Sequence, residues 1–314
     1  MSKKLYFWTE QYLFGKRTLL QWCVSLLLLP FSFIWAFGAY LKKITQKQLD
    51  FHIIIISIGN LTVGGSGKTP VAIAIAKRLQ NSAIVLRGYG RKSAGLYVVS
   101  INGNIQTTVE ISGDEAMLYA IALPNATVIV SEDRKIGIQK AIELGSKVVI
   151  LDDAFAKFDI KKFSILLQPS VNYPKLCLPS GAYRLPPNMA KYADDIWIEN
   201  RDFIRKTKIE NETAKMVLVT AIANASRLDK YLPNSVVAKY ILPDHSYFNE
   251  DELQKLLTKY NATSLLVTQK DFVKMQNFSL PISILNLKIE FNNGALQKLE
   301  NYLSSFHIAL DKIP

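Results

Sequence analysis

The chain has 314 residues, of which 49% are hydrophobic and 20% charged, and its formal net charge is +12. This length favours two domains. The positive charge suits a nucleic acid, an anionic membrane surface or a phosphorylated substrate. Two cysteines, Cys23 and Cys177, exclude a disulfide framework and a thiolate metal cluster, and three histidines exclude a His-rich metal site.

The N-terminal region contains an apolar run, Leu19 to Leu41, without a charged residue. As one helix its 23 residues would extend roughly 34 Å, enough to cross a bilayer. However, Pro30 lies near its middle, and three polar residues interrupt it: Gln21, Ser25 and Ser32. We therefore predict that residues 1–50 form a hydrophobic helical anchor embedded in, or lying on, a membrane. A true membrane span and a buried core helix are the alternatives.

A phosphate-binding loop is predicted next. The run Ile53 to Ile58 is typical of a buried strand, and a Gly-rich turn leads from it into an Ala/Ile-rich helix. This is the P-loop pattern, with Thr62 at the first glycine position. Lys68 should reach the β- and γ-phosphates of a nucleotide, and Thr69 should hold Mg²⁺. The predicted nucleotide contacts are Thr62, Val63, Gly64, Gly65, Ser66, Gly67, Lys68 and Thr69. A Gly-rich turn with a solvated lysine is the alternative.

Further strands and helices alternate after this loop. Strands are predicted at 82–87, 127–130 and 147–151, helices at 116–123 and 135–144, and a hairpin with strands at 96–99 and 107–110. This alternation predicts an α/β fold of P-loop NTPase type, with helices on both faces of a parallel sheet. Residues 169–187 are predicted as a loop and 200–215 as a polar linker. We assign 51–212 to the P-loop core and 213–314 to a smaller C-terminal α/β subdomain.

Several charged residues are candidates for chemistry. Asp152 and Asp153 end an apolar strand, where carboxylates can order Mg²⁺ or act as a general base. Asp114 precedes Glu115, and Ser112 and Glu115 have the spacing of a helix capping box, which leaves Asp114 without a capping role. His245 follows Asp244 in a loop, which suits proton transfer. Four arginines could contact phosphates or lie solvated on the surface: Arg87, Arg91, Arg134 and Arg184.

The ordered series of motifs resembles the tetraacyldisaccharide 4′-kinases, which are lipid A 4′-kinases. The motifs that carry the resemblance are Gly59–Pro70, Leu86–Arg91, Gly113–Glu115, Ile150–Asp153, Pro179–Arg184, Ala221–Asn224, Asp244–His245 and Thr268–Asp271. The family usually continues its Asp-Asp pair with Gly-Phe-Gln-His, whereas this chain has Ala-Phe-Ala-Lys, so that Ala154, Ala156 and Lys157 depart from the pattern.

The resemblance implies phosphorylation of the 4′-hydroxyl of a tetraacyl glucosamine-disaccharide 1-phosphate, with ATP and Mg²⁺. It also implies that Asp114 and His245 activate the acceptor hydroxyl and that Asp152 and Asp153 serve Mg²⁺ and the phosphates. Lys68 and Asp153 complete the expected catalytic set, and Arg91, Arg134 and Arg184 are the expected substrate contacts. Such an enzyme would act on an anionic acylated lipid at the cytoplasmic face of the bacterial inner membrane.

Two other classes compete with this interpretation. A membrane-tethered P-loop ATPase or GTPase would hydrolyse nucleotide without a lipid acceptor, and a degenerate scaffold would bind nucleotide without turnover. Residues Thr268 to Asp271 do not match the guanine-specificity motif, since Gln269 separates the threonine from the lysine. A nucleic-acid partner is disfavoured, because the basic charge is dispersed and accompanies a hydrophobic N-terminus. The sequence makes no prediction of the oligomeric state.

Overall fold

Two β-sheets organise the chain in the computed structural model, which describes residues 3–64, 66–168 and 174–311. The first sheet has eight strands in the order β4-β3-β5-β2-β6-β1-β7-β8. Their bounds are Ile54–Gly59 (β1), Ser82–Leu86 (β2), Tyr97–Ile101 (β3), Asn104–Ile105 (β4), Thr127–Val130 (β5), Val148–Asp152 (β6), Phe163–Gln168 (β7) and Asp195–Ile198 (β8). Only β3 and β4 pair antiparallel to their neighbours. All of β1 is buried, as its β-branched sequence predicts.

The second sheet has five strands in the order β11-β10-β12-β13-β9. Their bounds are Phe203–Glu210 (β9), Met216–Thr220 (β10), Val236–Ile241 (β11), Ser264–Thr268 (β12) and Ile282–Phe291 (β13). Strand β9 pairs antiparallel with β13 along its whole length, so the predicted polar linker at 200–215 is wrong. Exposed charged residues alternate along this edge strand with partly buried ones. In the sequence this alternation gives the segment the polarity of a solvated linker.

The helices cover both faces of the first sheet. Their bounds are Lys3–Phe14 (α1), Leu19–Leu27 (α2), Leu29–Thr45 (α3), Lys68–Ala76 (α4), Val109–Ser112 (α5), Asp114–Ala122 (α6), Arg134–Glu143 (α7), Glu250–Tyr260 (α8), Gln269–Phe272 (α9) and Gln297–Ser304 (α10), with 3₁₀ turns at Pro187–Tyr192 and Ala225–Tyr231. Helices α4, α6 and α10 contribute to one large core, and α7 packs on the opposite face. The predicted parallel sheet with flanking helices is therefore confirmed.

The C-terminal helix α10 returns to the first core after the second sheet. Leu299 and Leu303 are fully buried among residues of β1, α4 and β7. The second sheet thus lies between two segments, β8 and α10, that both belong to the first core. The division of the chain at residues 50 and 212 stays a prediction.

The predicted hairpin forms, but its second strand is shorter and earlier than expected. Asn102 and Gly103 have φ of 45° and 81°, which makes a two-residue turn of the kind that reverses the chain at once. Strand β4 consequently begins at Asn104, and Thr107–Glu110 leads into α5 instead of forming a strand.

The apolar N-terminal run is divided into α2 and α3, which are bent by 54° with respect to each other. Among the described residues no single helix is long and apolar enough to cross a membrane; these two pass the length and composition test only as a bent pair. Their polar residues fasten them to the loop before Pro187: Ser25 Oγ donates to Ser180 O at 2.8 Å, and Ser32 Oγ to Cys177 O at 2.9 Å. The opposite face leaves large apolar side chains exposed, including Phe33 and Phe37.

Candidate active site

The predicted phosphate loop lies between β1 and α4. Gly67 adopts φ 77° as the N-cap residue, and α4 begins at Lys68, so the positive end of the helix dipole faces the loop. The loop is braced from outside, because Val63 N donates to Ala182 O at 2.8 Å. Thr62 is buried, and Thr69 lies in the first turn of α4. Gly65, one of the predicted nucleotide contacts, lies outside the described residues.

The Lys68 side chain points to the end of β6. Its Nζ lies 3.2 Å from Asn60 Oδ1 and 3.6 Å from Asp153 Oδ1. Arg184 joins the same group through two hydrogen bonds to Asp153, at 2.8 and 2.7 Å, and one to Asn60 at 2.6 Å. Burial raises the pKa of Asp153, but Lys68 and Arg184 outweigh it and hold that pKa well below the usual range. The structure thus brings together Lys68, Asp153 and Arg184.

The two aspartates after β6 have different surroundings. Asp153 adopts φ 50°, a left-handed conformation that turns it out of the strand towards Lys68 and Arg184. Asp152 is buried, and its Oδ1 has no hydrogen-bond partner. Burial and the charge of Glu115 raise the pKa of Asp152 to about 7. A buried carboxylate with one unpaired oxygen is favourably placed to bind a cation.

These residues fit Mg²⁺ bound through a nucleotide. In the part of the chain that the structure describes, no three His, Cys, Asp or Glu side chains cluster as a metal site. Magnesium at phosphates needs only one or two carboxylates, because phosphate oxygens and water complete its shell. The orphaned oxygen of Asp152, with Asp153 and Thr69, supplies that donor set.

The other predicted arginines lie elsewhere. Arg134 is 4% exposed and donates to two backbone carbonyls, Ser131 O at 2.8 Å and Asp152 O at 3.1 Å. Arg91 is paired with Glu132 in an ion pair, and Arg87 is exposed just after β2. Of the four arginines, the geometry favours only Arg184 as a phosphate contact, and it gives Arg134 a role in fixing the strand end.

Asp114 and His245, which are 131 residues apart in sequence, form a pair. Asp114 is the first residue of α6, and His245 lies in the loop after β11 with φ 62°. His245 Nδ1 lies 3.0 Å from both carboxylate oxygens. Burial raises the pKa of Asp114, but the hydrogen bond from His245 and the charge of Lys270 outweigh it and bring the pKa to about 2.

The predicted capping box at Ser112 does not form. Ser112 belongs to the short helix α5, and its Oγ donates to Thr108 O at 2.9 Å, so it is unavailable to α6. Gly113 is the N-cap residue of α6 and provides no side-chain bond. Glu115 instead accepts from Lys270 at 3.2 Å. Asp114 Oδ1 accepts from Glu115 N at 2.9 Å, so this carboxylate meets one backbone amide of the first turn although the capping box is absent.

Two lysines that the sequence interpretation passed over surround this pair. Lys270 Nζ lies 3.5 Å from His245 Nε2 and 3.4 Å from Asp244, and Lys274 Nζ lies 3.6 Å from Asp114. Burial lowers the pKa of Lys270, but Glu115, Asp114 and Asp244 outweigh it and keep the pKa above its usual value. Lys270 lies in the motif Thr268–Asp271, which contributes to the family resemblance without indicating a role for the lysine.

The Asp114 carboxylate is expected to stabilise the fold in a pH-dependent way. Its pKa falls from 3.8 to about 2 on folding, a shift that contributes about 2 kcal/mol above pH 4. Because the folded-state pKa is depressed, this stability is lost as the pH falls from about 4 towards 2. The free energy of unfolding, measured in urea, should exceed that of Asp114→Asn at pH 5, and the difference between the two proteins should be smaller at pH 3. If the unfolding free energies of the two proteins changed with pH in parallel, this would contradict the depressed pKa. The matched control is Asp251→Asn, on the exposed start of α8.

The fold and the site define a P-loop phosphotransferase: a parallel sheet with a phosphate loop, a helix-start lysine, strand-end carboxylates and a buried Asp–His pair. Comparison with known proteins narrows this class. The family model for tetraacyldisaccharide-1-P 4′-kinase matches residues 24–304, and the chain belongs to that family.

Individual proteins similar to this chain support the same family. A tetraacyldisaccharide 4′-kinase from Helicobacter pylori is 49% identical over 298 residues, 95% of each chain. One from Campylobacter jejuni is 46% identical over 306 residues, 97% of this chain and 98% of the relative. The crystal structure of LpxK from Aquifex aeolicus in complex with ATP superposes with a TM-score of 0.74 at 28% identity, covering 89% of this chain and 98% of that one. The predicted family and the predicted phosphotransferase class are confirmed.

Proposed function

We propose that this protein transfers the γ-phosphate of ATP to the 4′-hydroxyl of a tetraacyl glucosamine-disaccharide 1-phosphate in lipid A synthesis. The observation that carries the proposal is the proximity of a phosphate site and a proton-accepting site. Glu115 links them, because it accepts from Lys270 beside His245 and its charge raises the pKa of Asp152. Family membership supplies the identity of the acceptor.

The chemistry follows from the charges of the site. The 4′-hydroxyl oxygen attacks the γ-phosphorus, the bond to the β-γ bridging oxygen breaks, and ADP leaves. Lys68 and the amides of the loop stabilise negative charge on the phosphates. Mg²⁺, held by Thr69, Asp152 and Asp153, would neutralise further phosphate charge. Arg184 keeps Asp153 in place and offers its remaining donors to phosphate oxygens.

The hydroxyl proton passes to Asp114. Because this carboxylate has a pKa of about 2, it is ionised at neutral pH and free to accept. In phosphoryl transfer through a loose transition state, the proton leaves the hydroxyl late. The orientation of the base therefore matters more than its basicity. His245 orients it, since Nδ1 lies 3.0 Å from both oxygens. We assign the base to Asp114 in preference to Asp153, because Lys68 and Arg184 contact the oxygens of Asp153.

An apolar cavity supports an acylated acceptor. It has a volume of about 520 Å³ and extends from Asp153 and Arg184 to helix α3. Its apolar lining includes Ile34, Trp35, Phe155, Phe158 and Leu185. A cavity of this size and composition suits an acyl chain, and its polar end lies at the phosphate site.

The exposed face of α2 and α3 supports work at a membrane surface, which we propose is the cytoplasmic face of the inner membrane. Phe33 and Phe37 are each 68% exposed, and Lys42 and Lys43 follow in the last turn of α3. Apolar side chains next to basic ones are typical of helices that lie in the interface of an anionic bilayer.

Replacing Phe33 and Phe37 together by serine should reduce binding to vesicles that contain phosphatidylglycerol by about a hundred-fold to a thousand-fold, because each phenyl ring contributes about 2 kcal/mol of transfer free energy. Co-sedimentation measures the bound fraction. The matched control replaces Ile105 and Ile136, which are exposed on β4 and α7, by serine. Equal binding by both double variants would argue against this face as the membrane contact.

The proposed function is tested by phosphate transfer. Purified protein in detergent receives γ-labelled ATP, Mg²⁺ and the tetraacyl disaccharide 1-phosphate, and the label is followed in lipid and in free phosphate. Label in the lipid is the expected result. Label released only as free phosphate, at the same rate without lipid, would instead favour a membrane-tethered P-loop ATPase.

A further inference from the structure

Arg205 connects the second sheet to the phosphate loop. It lies on β9, in the segment that the sequence predicts as a polar linker, and its side chain is 12% exposed. Its Nη2 donates to Ser66 O at 3.0 Å. The same Nη2 also lies 3.6 Å from Glu199 Oε2. A buried arginine therefore holds one carbonyl of the nucleotide loop.

The position of that carbonyl matters because of the peptide bond that contains it. In a trans peptide the C=O and the following N–H point in opposite directions. Phosphate loops bind their ligand through backbone N–H groups that face the anion. Because Arg205 holds Ser66 O, the N–H of Gly67 in the same peptide points away from that bond, in a direction that Arg205 thereby fixes.

Gly67 and Arg205 are fitted to each other. Gly67 adopts φ 77°, which a side chain disfavours, and a Cβ at this position would lie 2.2 Å from Arg205 Nη2. The guanidinium thus lies against the α-carbon of Gly67, and a side chain at that position would have to displace it. Arginine suits the position, because its planar group can donate to Ser66 O while facing Glu199.

The carboxylate behind Arg205 is itself held. Glu199 Oε1 lies 3.3 Å from Lys230 Nζ and 3.4 Å from the Tyr231 hydroxyl, both in the 3₁₀ turn Ala225–Tyr231 of the second sheet. The chain of contacts runs from this turn through Glu199 and Arg205 to the loop. These contacts connect the phosphate loop to the second sheet.

We propose that Arg205 is a positioning residue that presets the Ser66–Gly67 peptide for nucleotide binding. The inference rests on the proposed ATP-dependent function, and it adds a residue from the second sheet to the nucleotide site. It acts on the free protein: without Arg205 the peptide can rotate, and bound phosphates must restore it. Loss of Arg205 should therefore weaken ATP binding, with a much smaller effect on the rate of the chemical step.

The test measures ATP binding to the full-length protein by calorimetry, without lipid, for the wild type, Arg205→Met, Arg205→Lys and the control Lys206→Met. Lys206 is the next residue on β9 and pairs with Glu290 on the surface. One hydrogen bond from a charged donor corresponds to a change in Kd of about ten-fold to a hundred-fold, which we expect for Arg205→Met. The Kd of Arg205→Lys should lie between those of the wild type and Arg205→Met, because lysine keeps the positive charge but lacks the planar guanidinium group. Lys206→Met should match the wild type.

The kinetic signature separates positioning from direct contact. The KM for ATP should rise in Arg205→Met while kcat with saturating ATP stays within about three-fold of the wild type. An unchanged Kd in a folded Arg205→Met protein, or a collapse of kcat with unchanged Kd, would overturn the inference. If Arg205→Met does not fold, an unchanged Kd in Arg205→Lys would overturn it equally. Failure of the wild type to bind ATP would instead refute the proposed function.

Discussion

Lys68→Met is expected to transfer phosphate to lipid at about a hundredth to a thousandth of the wild-type rate, because a positioned cation that stabilises transition-state charge typically contributes that much. Lys68 is the first residue of α4, and its Nζ already lies between Asn60 and Asp153 at the end of β6. Methionine keeps the length of the stem and removes the charge. Single-turnover transfer of γ-labelled phosphate measures the rate.

The matched control for this variant is Lys77→Met. Lys77 is exposed at the C-terminal end of the same helix, so its replacement makes the same chemical change away from the loop. Asp153 retains its two hydrogen bonds from Arg184 in Lys68→Met, so the strand end should keep its conformation. Wild-type transfer in Lys68→Met would mean that this lysine does not contact the reacting phosphates.

Asp114→Ala and His245→Ala should each lower kcat by about a hundred-fold to ten-thousand-fold, the usual contribution of a general base, with little change in the KM for ATP. The two side chains act as one unit, because His245 orients both oxygens of Asp114. The double variant should therefore be about as slow as the slower single variant. Steady-state kinetics with saturating lipid measure all three.

Asp251→Asn provides the control for these variants, since Asp251 lies exposed in the first turn of α8. Multiplicative losses in the double variant would show that Asp114 and His245 act independently. Near-wild-type turnover in both single variants would remove the pair from the catalytic set and direct attention to Asp153 as the base.

Sequence patterns predicted the phosphate loop well because the loop is local. Its strand, turn and helix follow one another within residues 53–78, and each has its own pattern of apolar or glycine residues. The same holds for β6 and the aspartates that end it. The hairpin was only half predicted, because Asn102-Gly103 sets the turn but gives no indication of how far the return strand extends.

Contacts between residues far apart in the sequence were harder to predict. The strand β9 has its ladder partner far away in sequence, because it pairs with β13, some 80 residues later. Arg205 was missed for the same reason, since its partner Ser66 is 139 residues away. The capping interpretation of Ser112 failed because a second short helix, α5, ends at that residue and takes up its hydroxyl. Gln21, Ser25 and Ser32 weakened the prediction of an apolar span, and their burial against the protein explains why they are polar.

The return of α10 to the first core has a consequence for how the two sheets work together. The second sheet is connected to the first at both ends, through β8 before it and through Leu299 and Leu303 after it. A segment fixed at two points explores a much smaller volume than one on a single linker, so the effective concentration of His245 at Asp114 remains high. The two connections thus favour the Asp114–His245 contact without any further partner.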